Sequence, residues 1–118
     1  MVSRIAHVGH DRVLMKRRST TLRDAGFSVD EAYTLGTALK SAEAVDALLI
    51  CHTLPNPDKA RLVSAVRYDR VAMPIICVNS NQSEVQPEGC IGVENIPLAI
   101  LDAIAFATQM GTLLRQLS

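Results

Sequence analysis

Apolar and polar positions alternate along this chain in blocks of strand and helix length. Arg4 to Val8 is a short apolar run closed by Gly9, which predicts a buried strand. From Asp11 to Ala25 the spacing is helical, with Met15, Ser19, Leu22 and Ala25 near one face. Asp11 stands where an N-cap is wanted, and Gly26 where a left-handed C-cap is favoured. Phe27-Ser28-Val29 alternates and predicts a second, more exposed strand. Thr34 to Ala44 carries good helix formers and no Pro. Ala47 to Cys51 is continuously apolar, as a strand covered on both faces should be. Leu54 to Pro57 is expected to be a loop, and Asp58 to Arg70 a helix with Leu62, Ala65 and Val66 at core spacing. Pro74 to Val78 predicts another buried strand, Cys90 to Val93 a last one, and Pro97 to Leu117 a long helix with Pro in its first turn. Between the last two strands, Asn79 to Gly89 is rich in Asn, Ser, Gln and Pro. It has room for at most a short helix near Ser83 to Gln86.

Strands and helices that alternate in this way imply a parallel sheet with helices on both faces. Such sheets bind ligands beyond the carboxyl ends of their strands. The segments at that edge are Gly9-His10-Asp11, Cys51-His52-Thr53, Asn79-Ser80-Asn81 and Asn95-Ile96-Pro97, and function is to be sought there.

Composition narrows the field. The 118 residues are expected to form one domain, residues 1–118, with no output domain attached. Hydrophobic residues make up 48% and charged residues 20%, which excludes a disordered chain. Twelve Lys and Arg balance twelve Asp and Glu, which argues against nucleic acid or an anionic membrane as partner. Aromatics at 3%, with no Trp, leave no base-stacking platform. Three Cys and no secretory signal suggest a cytoplasmic chain with reduced thiols. The zero balance hides a gradient, because residues 1–40 hold seven cations and four carboxylates, and the remainder five and eight. Arg12, Lys16, Arg17, Arg18 and Arg23 make the first helix basic. It reads either as a solvated face, with some Arg paired to Asp11 or Asp24, or as a contact for an acidic protein.

The segment from Asp46 to Pro55 resembles the receiver-domain stretch that ends a buried strand in Asp-x-x-Leu-Pro. Met73-Pro74-Ile75-Ile76, Gly26-Phe27, Gly89-Cys90 and Ile96-Pro97 match further landmarks at the right spacing. Over nearly its whole length the chain resembles the receiver (CheY-like) domain of bacterial two-component response regulators. The resemblance implies an α/β three-layer sandwich of flavodoxin-like topology. It would have a five-stranded parallel sheet of order 2-1-3-4-5 and a shortened fourth helix.

Receivers accept a phosphoryl group on an Asp after the third strand. They hold Mg²⁺ with an acidic pair after the first strand, and bind phosphoryl oxygens with a hydroxyl after the fourth strand and a Lys after the fifth. A dianionic group needs such a hard, oxygen-ligated cation and fixed donors. Carried onto this chain, the acceptor position is Cys51, and the acidic pair falls on Gly9 and His10, or on His10 and Asp11. The hydroxyl position is Asn79 with Ser80 adjacent, the Lys position is Ile96, and the aromatic switch position is Val93. The pocket Gly9, His10, Asp11, Cys51, Asn79 and Ile96 is therefore a degenerate one. No catalytic residue, cofactor, metal or Mg²⁺ is expected. The resemblance implies a stand-alone signalling module that contacts a histidine kinase or another signalling protein without aspartyl phosphorylation. Asp11 or Asp46 as a substitute acceptor is a weaker option, Asp46 lying at the far end of its strand.

A second class of function remains open. A pocket of Cys51 and His10, with Cys77 on the neighbouring strand, would suit a ligand-, metal- or redox-responsive domain. The bland reading makes Cys51 and Cys77 small buried hydrophobes and His7 a core residue. A Cys51–Cys77 disulfide is disfavoured by strand geometry and by a reducing compartment. In the last helix, Asp102 is the only charge between Leu98 and Leu114, and two apolar stripes run along it. One stripe suffices for a chain's own core. The second suggests a homodimer or partner surface at Ala103, Phe106, Ala107 and Met110. Ile96-Pro97 occupies the place of a receiver bond that is usually cis, and a cis bond is expected there too.

Overall fold

The computed structural model describes residues 3–70, 72–81 and 83–117, with side chains as far as Gln109 in the last helix. The chain runs β1 (Arg4–Val8), α1 (Arg12–Asp24), β2 (Ser28–Ala32), α2 (Leu35–Ser41) and a 3-10 turn (Ala42–Ala44). It continues through β3 (Ala47–Ile50), α3 (Asn56–Asp69), β4 (Ile75–Val78), β5 (Ile91–Val93) and α4 (Pro97–Leu117). All four strand pairs are parallel, and the order across the sheet is β2-β1-β3-β4-β5. The expected architecture is therefore the observed one.

The strand period of two divides the core. Ala6, Val8, Leu48, Ile50, Ile75 and Cys77 point to one face, where Ala38 of α2 and Leu62, Val63 and Val66 of α3 cover them. Ile5, Leu49, Ile76 and Val78 point to the other, beneath Leu22 of α1 and Ile100, Ile104 and Ala107 of α4. β3 and β4 are buried at every residue, as their unbroken apolar sequences require, whereas β5 is largely exposed at the sheet edge.

Local signals start and stop the helices. The Asp11 carboxylate accepts the Leu14 backbone N–H at 3.1 Å, satisfying a free donor of the first turn of α1. At the other end Gly26 adopts φ +101, so that its N–H reaches Arg23 O and that of Phe27 reaches Leu22 O. This is a Schellman closure, and it turns Phe27 into the core beside Leu22. α3 begins at Asn56 rather than Asp58, because Pro at position 57 is tolerated in a first turn. The second helix is shorter than the composition suggests and tightens into the 3-10 turn at Ala42.

Two expectations are corrected here. Between β4 and β5 no helix forms among the described residues, so the fourth receiver helix is replaced rather than shortened. Asn, Ser and Glu side chains there bond to nearby backbone and to one another, in competition with a helical ladder. Ser80 N–H and Oγ donate to Glu84, and Ser83 N–H and Oγ to Asn81. The Ile96–Pro97 bond is trans, as no peptide bond among the described residues is cis. Ile96 O accepts the Ile100 N–H, so Pro97 simply opens α4 in the favoured trans form.

His7 lies fully buried beneath α1, its Nδ1 hydrogen-bonded to Ser19 Oγ at 3.0 Å and its Nε2 without a partner among the described residues. Burial, helped by the fields of Arg18 and Arg23, depresses its pKa from 6.5 to about 3. The unfolded chain thus takes up a proton that the folded chain refuses. Stability is complete above pH 6.5 and falls as pH drops towards 3. Glu84 and His52 are shifted in the same sense, and Glu84 acts only below its ordinary value of 4.5. Between pH 6.5 and 4.5 the His7 contribution should be about 2–3 kcal/mol. Urea unfolding across that interval should show it in the wild type and not in His7→Leu. Equal slopes would place His7 elsewhere.

Candidate functional site at the carboxyl edge of the sheet

The strand ends of β1 and β3 meet more closely than side chains usually allow. A Cβ on Gly9 would stand 2.6 Å from Cys51 Cβ and 2.9 Å from Met15 Sδ, so only glycine fits there. Thr53 ties the two loops together by accepting the backbone N–H groups of His10 at 3.0 Å and Asp11 at 3.3 Å. The His10 ring is exposed, and no hydrogen bond joins it to Cys51 among the described residues. Asp11 spends its carboxylate on the α1 cap.

Cys51 is fully buried, and cationic chemistry surrounds it. Arg18, from the buried face of α1, donates Nη1 to Cys51 Sγ at 3.1 Å and Nη2 to Asn95 Oδ1 at 2.7 Å. Thr53 Oγ1 also donates to the sulfur at 3.4 Å, and His52 Nδ1 stands 3.8 Å from it. Arg18 is only 8% exposed and forms no ion pair with any Asp or Glu among the described residues. Its positive field adds to burial in depressing the pKa of both His7 and His52.

A second buried cation lies on the opposite face. Lys59 of α3 is 2% exposed, and its Nζ donates to Glu84 Oε1 at 3.1 Å and Gln86 Oε1 at 3.0 Å. Gln86 in turn donates to Asn79 Oδ1 at 2.5 Å. Glu84 is held well below its ordinary pKa, first by the Ser80 hydrogen bonds and then by Lys59. This network anchors the segment that replaces a helix. Asn79 and Ile96 themselves line a small cleft of about 170 Å³ between the β4 and β5 ends, with Ile96 half-exposed. Of the six pocket positions, Gly9 and Cys51 are sealed, His10 and Asp11 are exposed at the start of α1, and Asn79 and Ile96 line the open cleft, the two ends being joined by the Arg18–Asn95 bond.

Cys51 and Cys77 are buried and free, as small core residues should be, but they do not share a pocket. Cys77 pairs in register with Ile50, so Cys51, one residue on, points to the other face. Cys77 instead neighbours Cys90, which packs against the same core cluster, and their interaction raises the Cys77 pKa and lowers that of Cys90. Among the described residues, no group of three His, Cys, Asp or Glu side chains is placed to hold a metal ion. No helix is long and apolar enough to cross a membrane among the residues described.

The basic helix is also largely committed. Arg12 stacks over the Tyr33 ring at 4.0 Å, Arg23 pairs with Glu31 at 3.6 Å, and Arg18 is buried. Among the described residues, no ion pair joins Asp11 or Asp24 to these cations. Arg12, Lys16, Arg17 and Arg23 are exposed, Lys16 and Arg17 without an ion pair among the described residues, and Arg17 also lines the cleft between α1 and α4. On α4, Ala107 belongs to the chain's own core and Ala103 packs partly against it, while Phe106 is 64% and Leu98 68% exposed. The Met110 side chain lies outside the described residues.

Thr53 and Asn95 lie in the strand-end segments where function was sought, whereas Arg18 and Lys59 were not expected at the site. Arg18 and Lys59 do carry a signal. Each stands three or four residues from core positions, Met15 and Leu22 for one, Leu62 and Val63 for the other, so each falls on its helix's apolar stripe.

No protein-family model matches this chain, and no curated protein matches it in sequence. Solved structures match it closely in fold. A putative response regulator from Chloroflexus aurantiacus superposes with a TM-score of 0.79 at 20% identity, covering 92% of this chain and 99% of that one. A two-component transcriptional regulator AraC from Clostridium phytofermentans gives 0.79 at 20%, covering 97% of each. The chemotaxis response regulator CheY4 of Vibrio cholerae gives 0.76 at 19%, covering 91% of this chain and 99% of that one. The chain thus has the CheY-like, flavodoxin-like fold shared by these receiver domains.

The Arg18–Cys51 contact makes a sharp prediction. Cys51→Asp places a carboxylate against an otherwise unpaired guanidinium and should be tolerated. In an Arg18→Met background the same change buries a carboxylate alone, and should cost about 3–5 kcal/mol more. A double-mutant cycle by urea unfolding measures the coupling. A value near zero would show that Arg18 does not neutralise position 51.

Proposed function

We propose that this chain is a signalling module of the receiver type that acts through protein–protein contact without aspartyl phosphorylation. The observation that carries the reading is the Arg18 guanidinium on Cys51. The acceptor position holds a thiol sealed from solvent, and a side chain of α1 supplies the positive charge there. Phosphoryl transfer needs the opposite arrangement, an open carboxylate beside a metal held by further carboxylates. Here Gly9 has no side chain, Asp11 caps a helix, and Ile96 stands in the Lys position. Asp46, at the amino end of β3, accepts the Arg4 N–H at 2.8 Å, far from the pocket edge. The receiver-domain fold of the structural neighbours supports a role in signalling.

The same geometry weighs against a Cys51/His10 metal or redox pocket, because Cys51 is enclosed and the His10 ring faces solvent. Two surfaces are offered to partners. Lys16 and Arg17 present a small basic patch on α1 suited to an acidic region of a histidine kinase or another signalling protein. Phe106 and Leu98 project apolar surface from α4, suited to a second copy of the chain or another partner.

Incubation with acetyl phosphate and Mg²⁺ should leave the intact mass unchanged. A stable phosphoryl adduct on any Asp would overturn the reading. Light scattering should report a dimer whose dissociation constant rises at least about tenfold in Phe106→Asp. A monomer at all concentrations would remove the dimer and leave α4 to a different protein.

A further inference from the structure

Between α1 and α4 lies a cavity of about 340 Å³, within the range of small-molecule sites. Leu22, Ile100 and Leu101 form its apolar walls, and Arg17 joins the hydrogen-bonded Arg18 and Asn95 in its lining. No Asp or Glu lines it. Arg18 is the unusual member. A guanidinium taken from water is costly unless an anion neutralises it, and Arg18 has no carboxylate partner among the described residues. Its two hydrogen bonds, to Cys51 and Asn95, leave further N–H donors of the planar fork without a protein acceptor. The amino end of α4 opens at Pro97 on the same cavity, and its first turn carries no acidic side chain. The charged residues of the lining are therefore both cationic, and the walls are apolar.

We infer that this cavity binds a small amphipathic monocarboxylate, its carboxylate on Arg18 and its hydrocarbon body between α1 and α4. An Arg fork accepts a carboxylate in bidentate fashion, and the charge-assisted bonds are strengthened by burial. Inorganic phosphate would meet the cations but leave the apolar walls unfilled. A neutral alcohol of the same length would fill the walls but leave Arg18 unneutralised. The inference stands apart from the signalling reading, since a ligand site here requires no particular output.

Calorimetric titration of the full chain with octanoate, octanol and phosphate separates these cases. Octanoate should bind at least about tenfold more tightly than either of the others. Arg18→Met should reduce octanoate to the affinity of octanol. Thr21→Trp, which fills the cavity and leaves Arg18 intact, should weaken octanoate and octanol alike. If Arg18→Met does not fold, the three-ligand comparison and Thr21→Trp decide the matter. Equal affinity for octanoate and octanol, phosphate binding as tightly as octanoate, insensitivity to Thr21→Trp, or no binding would each overturn the inference.

Discussion

A positive charge removed from water must be met by something, and at the carboxyl edge of this sheet two such charges are buried. Lys59 comes from one helical layer and Arg18 from the other. Their partners organise what surrounds them. Lys59 is met by Glu84 and Gln86, and those two residues give the helix-less segment before β5 its fixed course. Removing one member of such a pair leaves its partner stranded, so the segment is held by the penalty for letting go as much as by attraction. Arg18 is met by a sulfur and an amide oxygen, which link β3, α1 and the loop into α4.

The contrast between the two cations gives the site its character. Lys59 has a carboxylate and is structurally complete. Arg18 has none, and its field is felt by His7 below it and His52 beside it. In the receiver fold this edge is where carboxylates collect around a metal and a phosphoryl group. Here Gly9 is packed against Cys51 so tightly that no side chain could be restored at position 9 without displacing the β3 end. The β1–β3 end of the edge is thus closed by packing at Gly9 and by the guanidinium on Cys51, while the Asn79–Ile96 end stays open.

The surfaces follow from the same economy. The first helix is basic in sequence and on its surface, where Arg12, Lys16, Arg17 and Arg23 are exposed, but stacking on Tyr33 and pairing with Glu31 engage Arg12 and Arg23, and Arg18 is buried. The last helix keeps its inner stripe for the core and leaves Phe106 and Leu98 outside. The basic and the apolar patches thus lie on helices that pack against the same face of the sheet.

The sequence by itself determined the alternation of strands and helices, the Asp11 cap, the Gly26 stop and the burial of β3 and β4. These depend on period and on local backbone chemistry, which act over a few residues. That Cys51 and Ile96 stand where the resemblance places an acceptor Asp and a Lys was also readable, since each is a residue type at a position. Only the tertiary structure decided what surrounds them. That Arg18 on α1 would reach Cys51 and Asn95, that Lys59 would bind Glu84 across the loop, and that Cys77 would face Cys90 rather than Cys51 all depend on contacts between distant segments. A helical stripe shows that a residue points inward. The identity of what it meets there is set by strand order and register, and by the need to satisfy each buried charge with whatever the folded chain brings within reach.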